Sequence, residues 1–521
     1  MQILPLKPQV DLIAHTSDPY DIAIASARTC YSPKLIKPLD VSDGQRERIG
    51  GLIYSAGHHT PFQHATFVFG ISGVSRHFVW SFLHSHPFFN SEQQSQRYVY
   101  FDEPEVFVPP LGNFEAENIY KGAFSEAYAA YEKLSELLIE DNFRLMSQLG
   151  KIKGQTEKQV RVDSEKKAIE NARYVLPIGS ATTLYHTISG ITLQRYIRLV
   201  NACDTPYEAK IIVDKMMGAV NAVDPNFLKM IGEMPRFKEQ TLEYGDDVSE
   251  MKVDPEFVER FDKELDGKMA KLVAYQGNGE LILADAVRDV IGVSKTTLSD
   301  DEAIDLVMNP AKNPYHLDTL NSYVHSPLMR AMQHVSYTFK KKISHTADSQ
   351  DQRHRTTPTS KPLLSRVHTF MPDYHTPVII ERNPQALEIY RGIMQKLWDA
   401  KNKLIEMGVS PEFAVYILPN ALNLRFTQSG NLAGFVHKWR LRTCFNAQLE
   451  IYNASMDELK QVALIHPRLA RYLGPPCFTL HQGGVRGDEN GEMRREGPCP
   501  EGDHWCGIPV WRNFPKVVRP F

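Results

Sequence analysis

A chain of 521 residues with 59 Lys and Arg against 62 Asp and Glu has a net charge of -3, which leaves no general basic coat for nucleic acid and no charge pattern of a membrane surface. Its length allows about two to four domains with a sizeable core; no apolar run reaches the roughly eighteen residues of a membrane span, and Met1-Gln-Ile-Leu-Pro-Leu-Lys7 has no signal-peptide pattern, so a cytoplasmic chain is expected. Six cysteines are too sparse for a disulfide framework, and Cys30, Cys203 and Cys444 sit in apolar or helical surroundings typical of reduced thiols.

Val10 to Ala14 reads as a strand, and residues 19 to 28 as a helix opening at Pro19. A polar helix near 44 to 56 leads to Gly57-His58-His59-Thr60-Pro61-Phe62-Gln63-His64, where no cysteine or carboxylate completes a metal site. Thr66 to Ile71 alternates Phe67, Phe69 and Ile71 as a strand. Val74, Phe78 and Phe82, with Val79 and Leu83, recur at helical spacing until Pro87 forbids continuation. Beyond lies Glu92-Gln93-Gln94-Ser95-Gln96-Arg97, dense in hydrogen-bonding side chains suited to an anionic, many-acceptor ligand.

Tyr120, Phe124, Tyr131, Leu134 and Leu138 mark a long helix, followed by a charged stretch from Lys151 to Lys167 and by Ala172-Arg173-Tyr174-Val175-Leu176-Pro177. Farther on, Leu272 to Tyr275 reads as a strand and Gly279 to Gly292 as a helix. Met332, Val335, Phe339 and Ile343 suggest another helix, and Pro384 to Met407 a long one stopped by Gly408. Ser410-Pro411 then starts Ala414-Val415-Tyr416-Ile417-Leu418-Pro419, a near copy of the earlier hexapeptide. Other pieces recur in the same order: His59-Thr-Pro and His325-Ser-Pro, Glu92 to Tyr98 and Asp348 to His354, Ser189-Gly190 and Ser429-Gly430. Common order indicates a tandem duplication. The expected organisation is a first copy over 1–245, an acidic linker over 246–266, a second copy over 267–470 with one strand fewer, and a tail over 471–521.

Ser85-His86-Pro87, seven intervening residues and Ser95-Gln96-Arg97-Tyr98 resemble the signature of the flavin-dependent thymidylate synthases, an Arg-His-Arg followed at the same distance by Ser-x-Arg-Tyr. Gly57 to His64 resembles that family's Gly-His-x-Thr-Pro-Phe-x-His. Trp439 to Glu450, with Arg442 and the Ala447-Gln448 pair, resembles its C-terminal motif. The resemblance implies an α/β (α+β) fold of two copies, each an antiparallel sheet packed with long helices. It implies deoxyuridylate contacts from Gln93, Ser95, Arg97, Arg173 and Arg442, and FAD contacts from His58, Thr60, His86, Asn431 and His437. The implied chemistry is reductive methylation of deoxyuridylate with methylenetetrahydrofolate and NADPH.

Each copy departs from the pattern. The first lacks both arginines of Arg-His-Arg, for which Arg76, Arg353 and Arg355 are candidate substitutes at the flavin phosphate; the second has Lys341-Lys342-Ile343 in that place and Asp351 in place of Ser. Arg353-His354-Arg355 spells the triplet but falls on the Ser-x-Arg-Tyr half in this alignment, and is read as chance. The implied active site is therefore composite, built from both copies, in a homodimer that presents four copies. The alternative is a degenerate relative that binds nucleotide or flavin without turnover. In the tail, Cys477, His481, Cys499 and Cys506 lie among Gly and Pro turns, and a structural zinc through the three cysteines and one histidine is expected.

Overall fold

The computed structural model describes residues 3–84, 86–101, 104–202, 207–229, 254–486 and 497–520. Ser85, Cys203 and residues 246–253 of the expected linker lie outside them. Two four-stranded antiparallel sheets organise the chain. In the first, β1 (Gln9–His15), β2 (Thr66–Ser75), β3 (Phe89–Gln93) and β4 (Ala181–Ser189) run in the order β1-β2-β4-β3. In the second, β5 (Ala270–Tyr275), β6 (Ser336–Ser344), β7 (Thr359–Ser360) and β8 (Asn423–Asn431) repeat that order as β5-β6-β8-β7. The second copy thus keeps its fourth strand, shortened to two residues, where one fewer was expected.

Helices recur in step. The first half has α1 (Pro19–Thr29), α2 (Asp43–Ser55), α3 (Arg76–His84), α4 (Phe114–Lys153), α5 (Glu157–Ala172), α6 (Gly190–Ala202) and α7 (Tyr207–Val223). The second has α8 (Gly279–Ile291), α9 (His345–Asp351), α10 (Pro384–Glu406), α11 (Leu432–Arg442) and α12 (Leu449–Ile465). Two expectations change. The charged stretch Lys151 to Lys167 is mostly helix, because Thr156 and Gln159 form a capping box that starts α5 with only three residues between it and α4. Met332, Val335, Phe339 and Ile343 fit a helical spacing, but Tyr337, Phe339, Lys341 and Ile343 also alternate. The alternation wins: a 3-10 turn at Met329–His334 precedes strand β6, whose alternate residues are buried. Among the described residues no helix is long and apolar enough to cross a membrane.

The recurring hexapeptides cross one another. Ile178 N and Gly179 N donate to Leu418 O and Tyr416 O, both at 2.8 Å, while Asn420 N and Ala421 N donate to Leu176 O at 2.8 Å and Tyr174 O at 2.9 Å. A side chain at Gly179 would stand 2.9 Å from Tyr416 O, so the crossing needs glycine there. The halves also exchange a buried carboxylate lock. Ser75 N and Oγ donate to Glu208 at 2.7 and 2.6 Å, and the Tyr416 hydroxyl of the other half donates to it at 3.1 Å. Reciprocally, Ser344 N and Oγ and the Tyr174 hydroxyl donate to Glu450, each at 2.6 Å. One apolar core runs through both halves, from Trp80 to Trp439.

Burial pushes the Glu208 carboxyl up to about 7, against the bonds from Ser75 and Tyr416. A folded value above the unfolded one means that the stability it contributes is full below the unfolded value and is lost as pH rises through about 7. Glu208→Gln cannot ionise, so from about pH 5 to pH 8 the native chain should lose about 2 kcal/mol relative to this variant, as read by denaturant titration.

Candidate functional site

Where the two copies meet, a cavity of about 330 Å³ opens beside the crossing. The turn after β3, residues 93–98, forms one side, joined by Arg76 from the start of α3 and by Arg173 from the 3-10 turn after α5. The other side comes from the second copy: Thr346, Ser349 and Gln350 of α9, then Arg353, and Arg442 at the end of α11. Gln93, Ser95, Arg97, Arg173 and Arg442, far apart in sequence, therefore line one space.

Five guanidinium groups face this cavity, and Glu92 is the one carboxylate among the residues that line it. Each arginine is held. Arg97 Nε donates to Glu170, and its Nη2 to Asn446 O at 2.9 Å. Arg173 Nη2 donates to Gln448 Oε1 at 2.8 Å, and Arg76 Nη1 to Gln94 O at 3.0 Å. Arg442 reaches His354 Nε2 at 2.9 Å and Gln350 O at 2.8 Å. Burial would raise the Glu170 carboxyl, but Arg97 and Lys167 hold it well below the usual carboxylate range. Burial lowers Arg76 to about 9 and Arg173 and Arg442 to about 10, and neighbouring guanidiniums push each the same way. A dianion in the cavity would relieve that mutual repulsion. Gln96 Nε2, Thr346 Oγ1 and Gln350 Oε1 are buried without a hydrogen-bond partner among the described residues, the condition of a wall that awaits a ligand.

The residues expected at a flavin do not all come here. His58 and Thr60 lie exposed beside the short 3-10 turn Thr60–Gln63 of the first copy. His86 Nε2 pairs with the Tyr196 hydroxyl at 2.6 Å, and burial lowers its imidazole to about 4. None of the three lines the cavity. Asn431 caps α11 by accepting from Gly434 N at 3.0 Å. His437 packs its ring 5.7 Å from His354, beside Arg442.

Strand pairing corrects the alignment of the two halves. Glu92 pairs with Tyr185 and Ser360 with Thr427; His86 lies six residues before Glu92, and His354 six before Ser360. Arg353 and Arg355 thus flank His354 where Ser85 and Pro87 flank His86, so the Arg-His-Arg of the second copy stands in the family position and is not a chance match. Lys341-Lys342-Ile343 belongs to β6, and Asp351 ends α9, which answers to α3. Ser189 likewise answers to Asn431: it pairs with Thr66 as Asn431 pairs with Ser336, two residues from the match read in the sequence. Matching on the shared arginine and on small residues hid this; counting from Ser75 and Ser344, which end equivalent strands, would have found it.

In the tail, no group of three or more His, Cys, Asp or Glu among the described residues could hold a metal ion, and Cys477, His481, Cys499 and Cys506 form no such group. Burial raises the Cys506 thiol and holds Cys477 well above its ordinary value, and the His481 ring, in the last turn of the short helix Pro476–Gln482, meets Arg486 at 3.1 Å.

The sequence model of the thymidylate synthase complementing protein family matches the chain twice, over residues 11–226 and 271–468. Flavin-dependent thymidylate synthase from Clostridium tetani is 30% identical over 230 residues, spanning 43% of this chain and 86% of the relative. The enzyme of the same name from Sulfurisphaera tokodaii is 30% identical over 227 residues, spanning 42% and 82%. Among solved structures, a UMP/dUMP methylase PolB from Streptomyces cacaoi bound with 5-Br dUMP superposes with a TM-score of 0.33 at 15% identity, covering 46% of this chain and all of that one.

Proposed function

The chain belongs to the thymidylate synthase complementing protein family, and from that membership we propose that it methylates deoxyuridylate reductively, with FAD as cofactor, methylenetetrahydrofolate as carbon donor and NADPH as reductant. The observation that carries this reading is the meeting of Arg76, Arg97, Arg173, Arg353 and Arg442, drawn from both copies, around one cavity. A nucleotide phosphate of about two negative charges suits planar guanidinium donors that stay charged, and Gln93, Ser95 and Gln96 supply the directional bonds for sugar and base.

The second copy offers the flavin side. Arg353, His354, Arg355 and His437 would hold the cofactor, and His354 Nδ1, buried without a partner, fits an added acceptor there. When bound, reduced FAD supplies the one-carbon relay and hydride that no side chain can. The protein's own residues fix the nucleotide and neutralise its charge, and Gln96, which accepts from Asn420 Nδ2 at 3.0 Å, ties the base-facing turn to the crossing. A binder without turnover is the second reading, favoured by the absence of His58, Thr60 and His86 from the residues that line the cavity.

Among the described residues, the counterpart positions of the other copy do not repeat this lining. Continuing the register of each half places Lys361, Leu363 and Ser365 at the positions of Gln93, Ser95 and Arg97, with Val415 answering to Arg173 and Val200 to Arg442. Calorimetric titration should therefore give one deoxyuridylate per chain, not one per copy. The same reading carries a homodimer that presents four copies. Purified protein should show the flavin absorption band and release tritium from 5-tritiated deoxyuridylate when folate and NADPH are supplied. A colourless protein that binds the nucleotide without release would establish the second reading instead.

A further inference from the structure

Arg97 and Tyr98 line a second, larger cleft of about 870 Å³ on the far side of the Arg97–Glu170 pair. One wall is the end of α4 and the length of α5. The other is the loop at Phe445 and Asn446 together with Trp505 and its neighbours in the tail. Asn446 Nδ2 donates to His504 O at 2.7 Å and fastens tail to loop. The family match ends at residue 468, so the tail part of this wall, Glu501 to Cys506, lies outside the matched segments.

The charge of the cleft is unbalanced. Lys167 and Arg97 both satisfy Glu170, and Lys153 lies 4.0 Å from Asp163. Lys158 and Lys166 line the same cleft, are exposed, and have no ion pair among the described residues. They stand about 12 Å apart along the helix axis, a separation that a single small anion cannot bridge. Glu501 is the remaining carboxylate on the lining.

We propose that this cleft holds the oligo-anionic end of the second substrate, a run of carboxylates or phosphates whose attached ring reacts in the adjoining cavity. The inference rests on the methylating function above, and the two sources it allows are the glutamyl chain of a folate and the phosphates of a nicotinamide dinucleotide. Extended oligo-anions gain from lysines that are compact, exposed and spaced along one wall.

The test uses the full chain and the double variant Lys158→Glu/Lys166→Glu, with tetraglutamyl tetrahydrofolate, monoglutamyl tetrahydrofolate, NADP⁺ and deoxyuridylate as probes. Both lysines are exposed, so the fold should be retained, with circular dichroism as the check. Reversal of two charges should weaken the tetraglutamyl ligand about tenfold at low salt and the monoglutamyl ligand less, with deoxyuridylate unchanged. A loss confined to NADP⁺ would support the cleft and assign it to the dinucleotide. Deoxyuridylate binding with less than about a twofold change for the folates and NADP⁺ would overturn the cleft alone. A native chain that takes up no deoxyuridylate would overturn the methylating reading, whatever the lysines do.

Discussion

Arg442→Ala will weaken deoxyuridylate binding by about a hundredfold or more, a loss of roughly 3 kcal/mol. Its guanidinium is held by His354 Nε2 and Gln350 O on the second-copy side, so it is already aimed into the cavity before ligand arrives. Preorganised donors lose little entropy on binding, which makes their removal expensive. Arg442→Lys should recover only part of the loss, because a point charge cannot give two parallel bonds to one phosphate. Lys396→Ala, which removes an exposed cation paired with Glu126, is the control and should leave the titration unchanged. Equal affinities for native chain and Arg442→Ala would show that the cavity is not the nucleotide site.

Glu458→Leu will destabilise the chain by about 3 to 5 kcal/mol in denaturant titration. Lys341, Asp351, Lys438 and Glu458 form a closed, fully buried square in the second copy. Lys341 lies 2.6 Å from Asp351 and 2.8 Å from Glu458; Lys438 lies 3.1 and 2.8 Å from the same two carboxylates. Loss of one carboxylate leaves two buried ammonium groups sharing the single charge of Asp351 and the neutral acceptor Gln428 Oε1, and also strips the Trp439 indole N–H of its acceptor at 2.8 Å. Lys438→Met added to Glu458→Leu leaves the Lys341–Asp351 pair intact and should recover most of the loss. The first copy shows that the architecture does not need charges here. At the related positions it carries Ile71, Phe82, Tyr196 and Met216, with the Phe82 and Tyr196 rings 4.6 Å apart.

The duplication was legible because the two hexapeptides, Ala172 to Pro177 and Ala414 to Pro419, kept their apolar spacing under the constraint of crossing each other. Strands with alternating aromatics, such as Phe67, Phe69 and Ile71, were equally plain. Strand β6 was not, since its residues satisfy both a helical and a pleated spacing, and only the neighbours β5 and β8 decide between them. At the site, Gln93, Ser95, Arg97, Arg173 and Arg442 could be named from motifs, whereas Arg76 and Arg353 could be named only as substitutes for the lost arginines at a flavin phosphate, not as walls of the nucleotide cavity. Arg76 opens a helix whose sequence gives no sign that its first turn faces a cavity. Arg353 was misplaced because an arginine matched by identity outweighed a count from the end of the preceding strand. The burial of the tail thiols depends on long-range packing, which local Cys and His spacing does not encode.

The reciprocal carboxylate locks bear on how such a chain could be divided. Each half donates a tyrosine hydroxyl to a glutamate embedded in the other, so each half alone leaves its buried carboxyl one donor short. A gene split between them would produce two polypeptides that are individually insoluble but obligate to one another. Their co-expression, rather than separate refolding, would be the route to a working heterodimer.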